Sequence, residues 1–207
     1  LDFLNRGVRG EVGRHQAVCD KVAIVDEFAE LAAKIITELG CDAYLFEGPR
    51  STPELSFAVR HVKAQAGINL TASHNPPEYN GYKVYFEDGC QVVEPHASAI
   101  IAKVNAVESE DYPAVPESEH GRVIPMGVDI DEAYMTRLAT LPLDPDLIRR
   151  ENSLKIVYTP LHGVGLVAVE RAFREFGLPP PVVVAAQAQP DPDFPTVVFP
   201  NPEEGAG

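Results

Sequence analysis

The residues best suited to chemistry in this 207-residue sequence lie in the segment Thr71-Ala72-Ser73-His74-Asn75-Pro76. A serine hydroxyl can act as a nucleophile or a phosphate carrier when its loop holds it in one position. Asn75 and the two prolines after it favour a stiff, extended backbone. The apolar residues 67–70 predict a strand just before the segment, and open α/β sheets bind ligands beyond such strand ends. These residue types also fit a serine in an ordinary turn.

Three other functions of this segment are disfavoured by the residues around it. A serine hydrolase needs a base that reaches the serine hydroxyl, but His74 is its sequence neighbour and no Gly-x-Ser-x-Gly elbow is present. The triplet Asn69-Leu70-Thr71 matches a glycosylation acceptor, yet it falls on a predicted buried strand. His61 and His96 each stand alone on predicted helices, so neither predicts a metal site.

Composition limits the partners of the chain and the compartment that suits it. The net charge is -14, which disfavours nucleic acid and anionic membranes as partners but leaves room for a small anionic ligand at a local positive site. No apolar run is long enough to predict a membrane span, and no signal peptide is evident. Cys19, Cys41 and Cys90 are widely spaced, which disfavours a disulfide framework and indicates a reducing cytoplasm.

Periodicity predicts alternating helices and strands before the acidic, proline-containing residues 108–121. The pattern is typical of an α/β layer with mostly parallel strands. Asn80-Gly81 and Asp88-Gly89 are turn signals on either side of one strand, so this strand should be antiparallel to its neighbour. On the last helix, Ile100, Ile101 and Val104 should face the core. The predicted elements are a helix over 25–39, a strand over 43–46, a helix over 52–64, strands over 67–70 and 82–86, and a helix over 95–107.

A second unit is predicted after the acidic stretch, which reads as a linker. We therefore divide the chain into residues 1–120 and 121–207. Residues 187–207 hold five prolines and no regular pattern, and the second unit has few elements to bury one another. Its predicted elements are a helix over 129–141, a strand over 154–158, a turn over 159–163, a helix ending near 176 and a strand over 182–185.

Two long stretches of the sequence carry a recognisable pattern. The first stretch runs from Thr52-Pro53-Glu54-Leu55 through Ser73 to Asn80-Gly81-Tyr82-Lys83-Val84-Tyr85. The second comprises Tyr158-Thr159-Pro160-Leu161-His162-Gly163 and Pro200-Asn201-Pro202-Glu203-Glu204. Both resemble the alpha-D-phosphohexomutase superfamily, which includes the phosphoglucomutases and phosphomannomutases. The resemblance covers most of residues 40–204 and implies three-layer α/β/α domains with mixed, mostly parallel sheets.

The resemblance implies a phosphoryl shuttle in which Ser73 carries a phosphate. Ser73 would give this phosphate to a sugar monophosphate, and the sugar 1,6-bisphosphate so formed would return its other phosphate. A Mg²⁺ ion would bind an oxygen of the phosphate on Ser73. Lys83 would assist proton transfer or stabilise charge, and His74 and Asn75 would orient the loop. Glucose is the favoured sugar, with mannose and pentose phosphates as alternatives.

Two further residues are assigned to phosphate or substrate binding by the same resemblance. Gly7-Val8-Arg9-Gly10 is similar to the family's early phosphate loop, which would place Arg9 near the phosphate; a solvated loop residue is the alternative. His162 would lie near the cleft, or it would simply cap a turn.

The sequence departs from the family pattern at several points. The segment before Gly7-Val8-Arg9-Gly10 differs, and the stretch between Gly13 and the first helix is too short for the family's usual helix and strand. Cys90 replaces a glycine, which puts the geometry of its turn in question. No Asp-Gly-Asp-x-Asp-Arg loop supplies carboxylates for magnesium. We therefore expect the 207-residue chain by itself to be nearly inactive, and mutase turnover near ordinary enzyme rates would refute this; a non-catalytic binding module is the alternative.

Overall fold

The computed structural model describes residues 16–21, 26–71 and 81–198, with the backbone alone for 16–21 and Asp26. Helices and strands alternate through most of this part, as the periodicity predicts. No helix in these ranges is long and apolar enough to cross a membrane. The elements are β1 (Gln16–Lys21), α1 (Asp26–Glu38), β2 (Asp42–Pro49), α2 (Thr52–His61), β3 (Ala66–Thr71), β4 (Gly81–Phe86), α3 (His96–Asn105), β5 (Val123–Met126), α4 (Val128–Leu138), α5 (Pro145–Arg150), β6 (Val157–Tyr158), α6 (Leu166–Phe176) and β7 (Val182–Val183).

Five strands form one mixed sheet in the order β4-β3-β1-β2-β5. The pairings β1–β2, β1–β3 and β2–β5 are parallel, whereas β4 runs antiparallel to β3. The antiparallel strand predicted from the two turn signals is therefore confirmed. Helices α1 and α2 cover opposite faces of the sheet, so this part has the predicted three-layer α/β/α architecture with a mostly parallel sheet.

The central strand β1 lies in the short stretch before the first helix, where the sequence did not predict an element. Gln16–Lys21 forms the strand on which β2 and β3 both pair. Only three apolar residues, Ala17 to Cys19, lie in this segment before Asp20 and Lys21. That run is too short to predict a strand, since buried parallel strands normally show longer apolar runs.

Helix α1 packs on the sheet through its small side chains. Ala29, Ala33 and Ile36 are buried against one face of the sheet, whereas Phe28 and Leu31 are 53% and 50% exposed. Phe28 and Leu31 belong to the apolar positions whose spacing predicted the helix, but the face they form does not contact the sheet. Residues without large side chains allow the helix axis to lie close to the strands.

Helix α2 covers the opposite face, where the larger part of the core lies. Leu55, Ala58 and Val59 are fully buried there. Gly67 of β3 permits this close packing, because a Cβ at this position would stand 2.6 Å from Val59 Cγ2. Packed with these residues are Phe46, Ala64, Tyr85, Met126 and Ile130.

Helix α3 does not pack as the sequence predicted. Ile101 and Val104, which were expected on its inner face, are exposed, and Ile100 is only half-buried. No residue of α3 is buried. Apolar residues at helical spacing predicted the helix correctly but did not identify a face that contacts the sheet.

The turn that contains Cys90 is closed by a local hydrogen bond and depends on the glycine before it. Gly89, the residue before Cys90, adopts the left-handed conformation with φ of 76°. The Cys90 amide donates a hydrogen bond to Asp88 Oδ1 at 2.8 Å. A Cβ at Gly89 would lie 2.4 Å from the Ser56 carbonyl oxygen, so the glycine required here is Gly89, not residue 90.

Strand β5 attaches the chain after the predicted linker to the first sheet. It follows the predicted boundary at 120/121, yet it pairs with β2 as an edge strand. Asp42 of β2 is buried and accepts hydrogen bonds from the Arg122 amide and guanidinium at 2.8 and 3.0 Å. A Cβ at Gly121 would overlap the Cys41 carbonyl oxygen, so the backbones approach here as only glycine allows.

The elements after α4 bury much less surface. Strands β6 and β7 have two residues each, and β6 begins at Val157 rather than at the predicted residue 154. Val157, Val167 and Val182 are all exposed, and no residue of α6 is buried. The short helix α5 was not predicted; Asp144 caps it by accepting a hydrogen bond from the Leu147 amide.

Candidate functional site at the carboxyl edge of the sheet

Four parallel strands end at one edge of the first sheet, where α/β proteins usually bind their ligands. β3 ends there at Thr71, and β4 begins there at Gly81, the register partner of Thr71. These two residues are the ends of the segment that contains Ser73. A Cβ at Gly81 would lie 2.7 Å from the Thr71 carbonyl oxygen, so glycine is needed where the chain re-enters the sheet.

Four of the predicted site residues lie outside the described residues: Arg9, Ser73, His74 and Asn75. Their proposed roles stay predictions. The structure does describe the strands that precede and follow the Ser73 segment, and the two remaining predicted site residues, Lys83 and His162.

Lys83, the predicted catalytic lysine, lies two register pairs inside this edge. It is half-buried on β4 and is the register partner of Asn69 on β3. Because alternate residues of a strand share a face, Lys83 lies on the same face as Tyr85, which packs with α2. The lysine is therefore on the side of the sheet where α2 begins.

Asn69 and Thr52 form a polar contact that sequence reasoning missed. The Asn69 amide nitrogen donates to Thr52 Oγ1 at 2.7 Å and so joins β3 to the first residue of α2. Asn69 is only 1% exposed. The sequence does contain a signal for this contact, because Asn69 stands between the apolar residues Ile68 and Leu70 of a predicted buried strand. A polar side chain buried on a strand normally has a hydrogen-bond partner.

An ion pair at the same edge joins the first sheet to α4. Arg50, which follows β2, donates from Nε and Nη2 to both carboxylate oxygens of Asp131 at 2.7 and 2.9 Å. Burial raises the pKa of Asp131, but hydrogen bonding to Arg50 and Glu54 and the charges of Arg50 and Arg171 outweigh it. The pKa of Asp131 therefore lies below its usual range. The two residues are 81 positions apart, so no local pattern predicts the pair.

His162 is held inside a hydrogen-bonded loop of the later part of the chain. It is 5% exposed, its Nδ1 lies 3.2 Å from the Gln189 carbonyl oxygen, and its Nε2 lies 2.9 Å from Thr196 Oγ1. The tautomer with its proton on Nδ1 satisfies both contacts, because the Thr196 hydroxyl can donate to Nε2. Gln187 in turn donates to Thr196 at 2.9 Å and accepts from Thr159 at 2.7 Å.

Both ring nitrogens of His162 are thus engaged within the protein. The predicted contact of this histidine with phosphate stays a prediction, and the described geometry gives the ring a role in holding its loop. His162 and Leu161 both have positive φ, at 60° and 48°, which is uncommon for residues other than glycine. The turn predicted over 159–163 therefore depends on the contacts around His162.

The described residues do not form a magnesium site. Within the described ranges, no group of three or more His, Cys, Asp or Glu side chains could hold a metal ion. Asp191 Oδ1 accepts a hydrogen bond from the Asp193 amide at 3.0 Å and so serves its own turn. The Mg²⁺ ion implied by the resemblance stays a prediction.

Comparisons with known proteins define the class to which this fold belongs. Residues 19–111 match the model of domain I, and residues 132–206 that of domain II, of the α/β/α phosphoglucomutase/phosphomannomutase fold. The chain therefore belongs to the phosphoglucomutase/phosphomannomutase family, as its resemblance to the phosphohexomutases indicated.

The individual relatives are named as phosphomutases of different sugars. The chain is 40% identical over 184 residues to human "Phosphopentomutase". This match covers 87% of the present chain and 30% of the human protein. It is 39% identical over 182 residues to "Probable phosphomannomutase" of Haemophilus influenzae, covering 86% of this chain and 36% of the relative. The chain thus spans about a third of the length of these relatives.

A solved structure agrees with the architecture described above. The crystal structure of a "putative phosphomannomutase" from Thermus thermophilus superposes with a TM-score of 0.73 and 30% sequence identity. The match covers 96% of this chain and 41% of that one. The α/β layers of the present chain therefore correspond to those of a solved family member.

Proposed function

We propose that this chain carries the phosphoserine of a sugar phosphomutase. The observation that supports the proposal best is the pairing of Thr71 and Gly81, which flank Ser73 in the sequence, at the carboxyl edge of the sheet. Lys83 lies two register pairs away on the face that α2 covers. A phosphate held at this edge would lie near an ammonium group and near the positive end of a helix.

In the proposed reaction the phosphoryl group moves from Ser73 Oγ to a hydroxyl of a sugar monophosphate. The Ser73 O–P bond breaks, a bond from the sugar oxygen to phosphorus forms, and the proton of the sugar hydroxyl is finally carried by Ser73 Oγ. The bisphosphorylated sugar then returns its other phosphoryl group by the reverse of these steps. The ammonium of Lys83 would stabilise the negative charge that develops on the bridging oxygen.

No step of this proposal is assigned to magnesium, because the described residues supply no ligand set for it. Glucose 1-phosphate and glucose 6-phosphate are the favoured pair by resemblance, while the relatives named above point to a pentose or a mannose phosphate. A direct comparison of the three sugars decides between them.

The test is phosphorus NMR of the product of the complete native gene, not of the 207-residue chain by itself, with glucose 1-phosphate, mannose 1-phosphate or ribose 1-phosphate. Each reaction is primed with glucose 1,6-bisphosphate. We expect conversion of at least one sugar, its loss in Ser73→Ala and its retention in Ser98→Ala. Ser98 is an exposed serine on α3 and is a matched control. Conversion by Ser73→Ala, or of none of the sugars by the unsubstituted protein, would overturn the proposal.

A further inference from the structure

One buried acceptor at the carboxyl edge has no partner in the described part of the chain. This acceptor is the side-chain oxygen Oδ1 of Asn69. The amide nitrogen of the same side chain donates a hydrogen bond to Thr52 Oγ1 at 2.7 Å. An unpaired polar atom in a core destabilises the folded protein, because nothing compensates the loss of its contacts with water. Native proteins contain few such atoms, and each one calls for an explanation such as a role at a functional site.

The strand register identifies the side chain nearest to this acceptor on β4. Asn69 and Lys83 are direct partners in the antiparallel pair, so their side chains lie on the same face with Cβ atoms about 5 Å apart. The neighbouring pair, Gly67 and Tyr85, fixes which face this is. A Cβ at Gly67 would stand 3.3 Å from Tyr85 Cβ and would also meet Val59 of α2.

Lys83 is a donor that has no hydrogen-bond or ion-pair partner within the described ranges. Its ammonium has three N–H groups and no acceptor, and its four-carbon stem is flexible. Asn69 offers the complementary group, an oxygen without a donor. The hydrogen bond between Lys83 and Asn69 is not formed in this structure. Rotation about the bonds of the lysine side chain would bring its ammonium to Asn69, its neighbour on the same face.

We infer that Asn69 is a positioning residue, whose Oδ1 accepts a hydrogen bond from the Lys83 ammonium and holds it beside the Ser73 segment. The bond from Asn69 to Thr52 fixes the amide, so its oxygen is presented in one direction. This inference rests on the proposed function, because it assigns Asn69 a role in the phosphoryl transfer that Lys83 assists. It adds a residue that acts through Lys83 and not on the phosphate itself.

The expected effects follow from the atoms that each substitution keeps. Asn69→Leu has a similar shape but no acceptor, so kcat for sugar phosphate conversion should fall about 10–100-fold with KM little changed. Asn69→Asp keeps an oxygen for Lys83 and another for the Thr52 hydroxyl, so it should retain most of kcat. Asn105→Leu, the same change at an exposed position on α3, should leave kcat unchanged.

A double-mutant cycle separates positioning from a general loss of structure. If Asn69 acts through Lys83, the pair Asn69→Leu with Lys83→Met should lose no more kcat than Lys83→Met alone. Thermal unfolding of each variant checks that it is folded. Should Asn69→Leu fail to fold, Asn69→Ala takes its place in the same cycle, with the same expected result.

The outcomes distinguish this inference from the proposed function. An unsubstituted protein that converts no sugar phosphate overturns the proposed function itself. If that protein is active, unchanged kcat in folded Asn69→Leu overturns the inference alone. Losses that multiply in the double variant, or an Asn69→Asp variant as impaired as Asn69→Leu, also overturn the positioning role of Asn69.

Discussion

The first sheet and the part of the chain after α4 show the same alternation of strands and helices but differ in how much they bury. In the first sheet, five strands lie between α1 on one face and α2 on the other. After α4, β6 and β7 form a two-stranded sheet, and α6 buries none of its residues. Alternating sequence patterns therefore predict which helices and strands form. How much of a helix or strand is buried depends instead on how many neighbouring elements pack against it.

The largest expected difference between the two parts concerns the loss of a leucine side chain. Leu55 on α2 is fully buried, so Leu55→Ala should reduce the free energy of unfolding by about 2–5 kcal/mol through lost burial and a cavity. Leu143, between α4 and α5, is fully exposed, and Leu143→Ala should change the free energy of unfolding by less than about 0.5 kcal/mol. Urea unfolding measures both, and equal effects would contradict the comparison.

A smaller effect is expected from the polar network that organises the later part. His162→Ala removes the ring that contacts Gln189 and Thr196, so the free energy of unfolding should fall by about 1–3 kcal/mol. Hydrogen exchange of the backbone amides should show the loss near His162 and not in β3. The exposed His61→Ala on α2 serves as the control. A change spread equally over β3 and the His162 loop would contradict a local role.

The smallest expected effect concerns the ion pair between Arg50, which follows β2, and Asp131 on α4. Asp131 has a lowered pKa in the folded protein, so its pairing with Arg50 stabilises the fold above the unfolded pKa of about 4. That stability is lost as the pH falls through the lower folded pKa. Asp131→Asn should therefore lower the unfolding temperature near neutral pH, and the difference from the unsubstituted protein should shrink on acidification.

The exposed pair Arg149–Asp146 on α5 is the matched control for this measurement. Both side chains are largely exposed, so Asp146→Asn should change the unfolding temperature little at any pH. Thermal unfolding followed between about pH 3 and pH 7 compares the two variants. A difference for Asp131→Asn that grows on acidification would have the wrong sign for a carboxyl with a lowered pKa.

Local patterns predicted the elements around the candidate site well. The turn signals Asn80-Gly81 and Asp88-Gly89 correctly indicated the antiparallel strand β4, because such dipeptides fix the backbone locally. The order of strands was not predictable in the same way. β1 has only three apolar residues, and its central place in the sheet depends on pairing with strands that are distant in the sequence.

The same limit applies to which side of a helix is buried. On α1, periodicity marked Phe28, Leu31 and Ile36, of which only Ile36 is buried against the sheet. Ala29 and Ala33 are buried beside it because small residues allow close approach. The Arg50–Asp131 pair and the Asn69–Thr52 bond join residues far apart in sequence, so they were missed. Ser73 was identified through the extended resemblance around it, since its own residue types also fit an ordinary turn.

The central claim is that Ser73 carries the phosphate that is transferred to the sugar. The most direct measurement is tandem mass spectrometry of the protein expressed from its own gene, before and after addition of the sugar 1-phosphate that it converts. We expect one phosphate located on Ser73 before addition and its loss afterwards. A protein that never carries phosphate on Ser73, or a phosphate on Ser73 that the sugar does not remove, would contradict the claim.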